Sequence, residues 1–88
     1  MNLIVALEVP PEDDRLGQSG YAGLVNSILK QTKNAEGAEP LGFGSWLITS
    51  DSGLPVLEKI LSGATNDKFG YRIIFSEGEV WQRKASAT

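Results

Sequence analysis

The clearest pattern of apolar and polar positions lies in the middle of the chain, in the stretch FGSWLITSDSGLPVLEKILSG at residues 43–63. Residues 45–50 are rich in the aromatic and β-branched side chains that fit a pleated strand. Trp46 and Ile48 fall on one face of that strand, and apolar side chains also occur on the other face. Apolar groups on both faces predict an interior strand.

The strand leads directly into a predicted helix. Its apolar side chains recur at steps of three and four residues, and they are Leu54, Val56, Leu57, Ile60, Leu61 and Ala64. Pro55 falls in the first turn, where its missing N–H costs nothing. We expect Asp51 or Ser52 to cap the start of this helix and Gly63 to end it.

The N-terminal third predicts another strand and helix. Residues 2–9 alternate between two largely apolar faces, and Pro10-Pro11 ends the strand because proline cannot donate to a sheet ladder. After a polar loop, Ser19 is the expected N-cap of a helix that runs to about Lys33. Its apolar stripe consists of Tyr21, Leu24, Val25, Ile28 and Leu29.

Residues 34–44 allow two interpretations. They can form a long loop, or residues 38–42 can form a short strand that pairs back on residues 45–50 through a glycine-rich bend. We favour the hairpin, because a connection of this length without structure is unusual in a compact domain.

The C-terminal part predicts a second hairpin. Residues 69–76 have the alternation of a strand, Glu77-Gly78 suits a two-residue turn, and residues 80–83 return as a short edge strand. We expect residues 1–83 to form a single domain and residues 84–88 a flexible tail.

The predicted order is βα(β)βαββ. Two helices packed on one face of a mostly antiparallel sheet make a ferredoxin-like α+β sandwich, which is the fold we expect. The alternative is a smaller α/β sheet with parallel strands at its centre.

Composition limits the chemistry. The 88 residues include no Cys and no His, so the chain lacks a thiol nucleophile, disulfides, the commonest general base and the commonest zinc ligand. The net charge of −3 does not indicate a nucleic-acid-binding protein, although it does not exclude a local basic face. The sequence has neither a membrane-length apolar run nor the pattern of a signal peptide, so we expect a cytoplasmic protein without membrane contacts.

Carboxylates cluster after the first strand. Glu8 lies near its end, and Glu12, Asp13 and Asp14 follow in the loop. Carboxylates at such a place can hold Mg²⁺ and activate water, so Glu8, Asp13 and Asp14 define an alternative function as a Mg-dependent nuclease. Charged runs of this kind are more often solvated surface, and we expect no cofactor otherwise.

A protein interface is the other candidate site. Trp81 lies on the predicted terminal edge strand, where an amphipathic aromatic side chain suits a partner surface. An edge strand can pair with a second copy or with a partner chain. The interface candidates are therefore Val80, Trp81 and Arg83 of that strand, together with Phe43.

The pattern resembles small ferredoxin-like proteins that include the minor nuclease-like subunit of CRISPR spacer integration and the endoribonuclease antitoxin of the ghost-cell toxin system. The likeness lies in Leu7-Glu8-Val9-Pro10 and in Ser45-Trp46-Leu47-Ile48-Thr49-Ser50, which is similar to the family's S-x-W/F-x-I-x-T strand. Glu8 stands where the family has Asp. The resemblance therefore implies the fold and a dimeric habit more than a reaction.

These observations favour a non-catalytic protein-interaction module, such as an antitoxin, a regulatory subunit or a phage-type inhibitor of a defence system. It would bind another protein, and itself as a homodimer, through an edge strand or the open sheet face. The alternatives are the nuclease described above and a small-molecule-sensing regulatory domain.

Overall fold

The computed structural model describes residues 2–75 and 80–83, and of residues 80–82 it describes only the backbone. The elements in chain order are β1 (Leu3–Leu7), α1 (Arg15–Gln31), β2 (Ala38–Gly42), β3 (Ser45–Ile48), a 3₁₀ turn (Asp51–Gly53), α2 (Leu54–Asn66), β4 (Tyr71–Phe75) and β5 (Val80–Arg83). The predicted turn at Glu77-Gly78 and the predicted tail at 84–88 lie outside the described residues.

The five strands form one sheet in the order β2-β3-β1-β4-β5, and every neighbouring pair is antiparallel. In the two central pairings Val5 of β1 lies opposite Trp46 of β3 and Ile73 of β4. The first four strands have the order of the ferredoxin-like sandwich, so the predicted fold is confirmed. The alternative sheet with parallel strands at its centre is wrong.

The core lies between the sheet and the two helices. Alternate residues of β1 are buried, and Trp46 and Ile48 are 1% and 0% exposed, as the pattern predicted. The helices contribute Tyr21, Val25 and Ile28 from α1, and Val56, Ile60 and Ala64 from α2. All the buried apolar side chains of the described residues belong to one hydrophobic cluster.

Helix α1 begins five residues before the position expected from Ser19 as its N-cap. Asp14 is its N-cap, because the carboxylate accepts a hydrogen bond of 2.9 Å from the backbone N–H of Gly17. Ser19 lies inside the helix, which ends at Gln31. The segment interpreted as a polar loop is therefore partly helical.

Helix α2 differs from its prediction at both ends. Neither Asp51 nor Ser52 caps it, since both belong to the 3₁₀ turn that precedes the helix. Gly63 lies inside the helix rather than ending it, because α2 continues to Asn66. A Cβ at Gly63 would lie 2.6 Å from Leu24 Cδ1, so the glycine allows α1 and α2 to approach closely.

The hairpin interpretation of residues 34–44 is correct, because β2 pairs with β3. Gly44 has φ 90°, a backbone conformation that side chains other than glycine rarely adopt. The strand β2 is an edge of the sheet, carries Pro40 and has a bulge between Pro40 and Gly42. Proline and bulges are common at sheet edges, where they discourage further pairing.

No helix in the described part of the chain is long and apolar enough to cross a membrane.

Candidate functional site

Several chain segments meet at the end of the sheet where β1 finishes. The backbone N–H of Leu7 donates to the carbonyl of Gly44 at 2.9 Å, which joins β1 to the turn between β2 and β3. The N–H of Glu8 donates to the carbonyl of Gly70 at 2.8 Å, which joins β1 to the segment after α2. We call this part of the molecule the β1 end.

Large apolar side chains are exposed at the β1 end. Leu16 in the first turn of α1 is 87% exposed, Val9 is 60% exposed and Phe43 is 53% exposed. Leu41, at the end of β2 beside the same turn, is also exposed. Single exposed apolar residues are normal, but four of the five exposed large apolar side chains among the described residues lie at this one end.

Tyr21 connects the exposed turn to the core. Its ring lies edge-on to Phe43 at 5.8 Å and to Phe69 at 6.2 Å, and its hydroxyl donates to the Phe43 carbonyl at 3.3 Å. Burial raises the pKa of the Tyr21 hydroxyl above its usual value of 10.0. The side chain fits against the backbone of Gly44, where a Cβ would overlap the hydroxyl oxygen.

A groove of about 710 Å³ lies beside Phe69 at the β1 end. Its apolar lining comes from the residues that follow β1, from the start of α1 and from the end of the α2–β4 connection, namely Val9, Pro10, Pro11, Leu16 and Phe69. Glu8, Asp14, Asp67 and Lys68 also line it. The groove therefore combines an apolar floor with charged groups.

One wall of the groove is held by side-chain hydrogen bonds. The Gln18 amide nitrogen donates to the backbone carbonyls of Pro10 and Pro11, which attaches the double proline to α1. Asp14 is fixed by its capping bond to Gly17. The groove shape is thus set by intramolecular contacts, which reduces the ordering cost of binding.

The net charge of the chain is concentrated around the groove. Five acidic residues line the groove or adjoin a lining residue in the chain, namely Glu8, Glu12, Asp13, Asp14 and Asp67. Three basic residues accompany them: Lys68 lines the groove, Arg15 adjoins Asp14 and Leu16, and Arg83 donates to the carbonyl of Phe69. Five acidic and three basic residues leave a local excess of two negative charges out of the net −3 of the chain.

The candidate nuclease carboxylates are not gathered into a metal-binding group in the described residues. The residues described include no group of three or more acidic, His or Cys side chains that could hold a metal ion. Asp13 is exposed, and Asp14 caps α1. Glu8, exposed at the end of β1, is a lining residue of the groove instead.

Arg83 contacts other residues of the same chain. Its guanidinium donates to the carbonyls of Phe69 at 2.7 Å and Ala64 at 3.2 Å, and its Cζ lies 5.4 Å from the centre of the Tyr71 ring. Ala64 belongs to the last turn of α2, where carbonyls lack intrahelical partners. Arg83 therefore attaches β5 to the end of α2.

The other two candidates on β5 are placed by backbone alone. Val80 lies opposite Ile74 of β4, and Trp81 lies opposite Ile73. Their side chains lie outside the part that the structure describes. Phe43, the fourth interface candidate, is exposed at the β1 end, away from the pairing of β5.

The sequence interpretation misses the two exposed large apolar residues of the groove. It places Leu16 in the polar loop and Val9 in the strand of residues 2–9, although the strand ends at Leu7 and Val9 is exposed. One indication is present in the sequence: Leu16 does not belong to the apolar stripe of α1, so a leucine at this position has no core to enter.

The chain matches no protein-family model, and comparisons with curated proteins and with solved structures find no significant similarity.

Proposed function

We propose that this chain is a non-catalytic protein-interaction module. The observation that carries the proposal is that exposed Leu16 and Val9 line one groove at the β1 end, where Phe43 is also exposed on the β2–β3 turn. A water-exposed leucine and valine contribute little to folding, but their burial against a partner gives favourable free energy. An antitoxin, a regulatory subunit or an inhibitor of a defence system would use such a surface.

The available chemistry supports binding over catalysis. The chain has no His or Cys, and the carboxylates near the groove are not gathered around a common point in the described residues. Hydrogen bonds within the chain hold two parts of the site: the wall formed by Pro10 and Pro11, and the capped start of α1. They shape a surface rather than position a reacting group.

We also propose that the chain self-associates through β5. The N–H of Thr49 donates to the carbonyl of Gly37, so the backbone groups of Gly37 face β3. Backbone groups alternate in direction along a strand, and those of Ala38 and Pro40 therefore face the outer edge of β2. Pro40 has no N–H to offer there. The opposite edge, β5, is therefore the better one for pairing with a second copy.

The interaction surface is tested by capture from a host lysate with three forms of the chain. We expect the unchanged chain to retain a specific protein, Leu16→Asp to lose it, and Leu54→Asp to retain it. Leu54 is the matched control, because it is 43% exposed at the start of α2 and lies outside the groove. Equal capture by all three forms, or no specific capture, contradicts the proposal.

Two further measurements separate the alternatives. The mass in solution should be that of a dimer, and a monomer at all concentrations contradicts pairing through β5. Incubation with RNA or DNA and Mg²⁺ should leave the nucleic acid intact. Cleavage that is lost in Glu8→Gln would establish the nuclease instead.

A further inference from the structure

We infer that the groove at the β1 end binds a cationic amphipathic segment of a partner protein, in which apolar side chains are flanked by Lys or Arg. The inference rests on the proposed function and specifies the chemistry of its partner. It follows from three properties of the groove: exposed apolar walls, a local excess of negative charge and a shape fixed before binding.

The apolar part of the segment is defined by Leu16, Val9 and Phe69. Leu16 and Val9 have most of their surface in water, whereas Phe69 is 9% exposed and forms the base of the groove against Tyr21. An incoming apolar side chain can cover the leucine and the valine while it contacts the edge of the phenylalanine. Removal of this area from water is the main source of affinity at such a surface.

The sign of the flanking charge follows from the local excess of acidic over basic residues, five against three. Asp67 lines the groove, and Glu12 and Asp13 lie beside it with exposed side chains. Lys or Arg next to the apolar side chains can meet these carboxylates at the rim, where they speed association and set specificity. Phosphate-rich nucleic acid is repelled by the same charges, so a protein segment is the favoured occupant.

The fixed wall of the groove lowers the ordering cost of binding on the side of this chain. Gln18 holds Pro10 and Pro11 against α1, so that wall has little freedom to lose on binding. The segment itself bears the remaining ordering cost, and a few anchoring side chains must supply most of the affinity.

Selection from a random peptide library displayed on phage tests the inference without assuming a sequence. The chain is used at its full length, and peptides that also bind the neutral variant Leu16→Ser are removed. We expect the remaining peptides to be enriched in apolar residues flanked by Lys and Arg. Enrichment in acidic or uncharged peptides overturns the inference, and so does the absence of any enrichment.

An enriched peptide is then measured by fluorescence anisotropy against charge variants. Asp13→Asn with Asp67→Asn should weaken binding by about three- to tenfold, since each exposed charge pair contributes modestly. The matched control, Glu36→Gln with Glu39→Gln, removes two exposed charges away from the groove and should leave the affinity unchanged. Equal affinities of the two double variants overturn the inference.

The two proposals fail in different ways. If lysate capture depends on Leu16 while the selected peptides carry no positive charge, the chain is an interaction module with a different partner chemistry. If capture does not depend on Leu16, the proposed function is itself wrong.

Discussion

Gly44→Ala tests how the hairpin between β2 and β3 is joined to α1. Gly44 has φ 90°, and a Cβ at this residue would overlap the hydroxyl oxygen of Tyr21 and lie 3.0 Å from its Cζ. Such an overlap is not tolerated, so either the tyrosine or the turn must move. The substitution therefore affects the backbone and the packing of Tyr21 together.

The expected loss of stability has two parts. A left-handed backbone conformation costs an alanine about 1–2 kcal/mol. Displacement of Tyr21 weakens its hydrogen bond to the Phe43 carbonyl, which contributes about 0.5–1.5 kcal/mol. It also weakens the edge-on contacts with Phe43 and Phe69, each of which contributes about 0.5–1.5 kcal/mol. We expect a loss of about 2.5–6.5 kcal/mol, which is a large part of the roughly 5–15 kcal/mol by which domains are stable.

Urea unfolding followed by tryptophan fluorescence measures this loss, with Gly42→Ala as the matched control. Gly42 lies in the same hairpin, but a Cβ at Gly42 would meet no atom within 4 Å, and the φ of this residue is not positive. We expect Gly42→Ala to change the free energy of unfolding by less than about 1 kcal/mol. A loss for Gly44→Ala no larger than that of Gly42→Ala refutes the reasoning.

A double-mutant cycle separates the contact from the backbone strain. Tyr21→Phe removes the oxygen that the new Cβ would meet, so Gly44→Ala should cost about 1–2 kcal/mol less in that background. The backbone strain is the same in both backgrounds. Equal costs would show that the tyrosine hydroxyl does not restrict residue 44.

Three further predictions concern stability. Gly23→Ala in α1 should stabilise the chain by about 1 kcal/mol in urea unfolding, because no atom lies within 4 Å of the new Cβ and alanine favours a helix; no gain contradicts this. Arg83→Met should lower the free energy of unfolding by about 1–3 kcal/mol, because the carbonyls of Phe69 and Ala64 lose a donor. The control Arg72→Met, at an exposed position of β4, should lower it by less than about 0.5 kcal/mol, and equal losses contradict the contact. Because burial raises the pKa of Tyr21 in the folded state above 10.0, its contribution is fully present below pH 10.0 and is lost as the pH rises through the folded value. The fall in stability above pH 10.0 should therefore be smaller in Tyr21→Phe, and identical pH profiles contradict this cause.

The candidate site is only partly predictable from the sequence. The acidic residues after β1 stand out in the sequence, but as ligands of a metal rather than as the charged rim of a groove. Phe43 is predicted as an interface residue and is exposed. Leu16 and Val9 are missed, because the limits of β1 and α1 decide whether they enter the core, and the predicted limits differ from the observed ones by a few residues.

Errors at the helix ends have local causes. Asp14 and Ser19 are both good N-cap residues, and the sequence does not show which of them meets a free N–H group three residues later. Gly63 is a residue type that often ends helices, but Leu24 of α1 packs against it and the helix continues. Contacts with the neighbouring helix outweigh the modest intrinsic preference of one glycine.

The sequence by itself determined the order of every strand and α-helix except β2, for which it left two interpretations, and the buried side of the central strands and of both α-helices. Periodicity carries this information, since a strand alternates every two residues and a helix repeats every 3.6. Trp46 and Ile48 are buried as their spacing required. Only the tertiary structure decided where the elements end and which surface residues meet. The groove joins residues near Val9, Leu16 and Phe69, and side chains so far apart in the chain come together only when the sheet and helices pack.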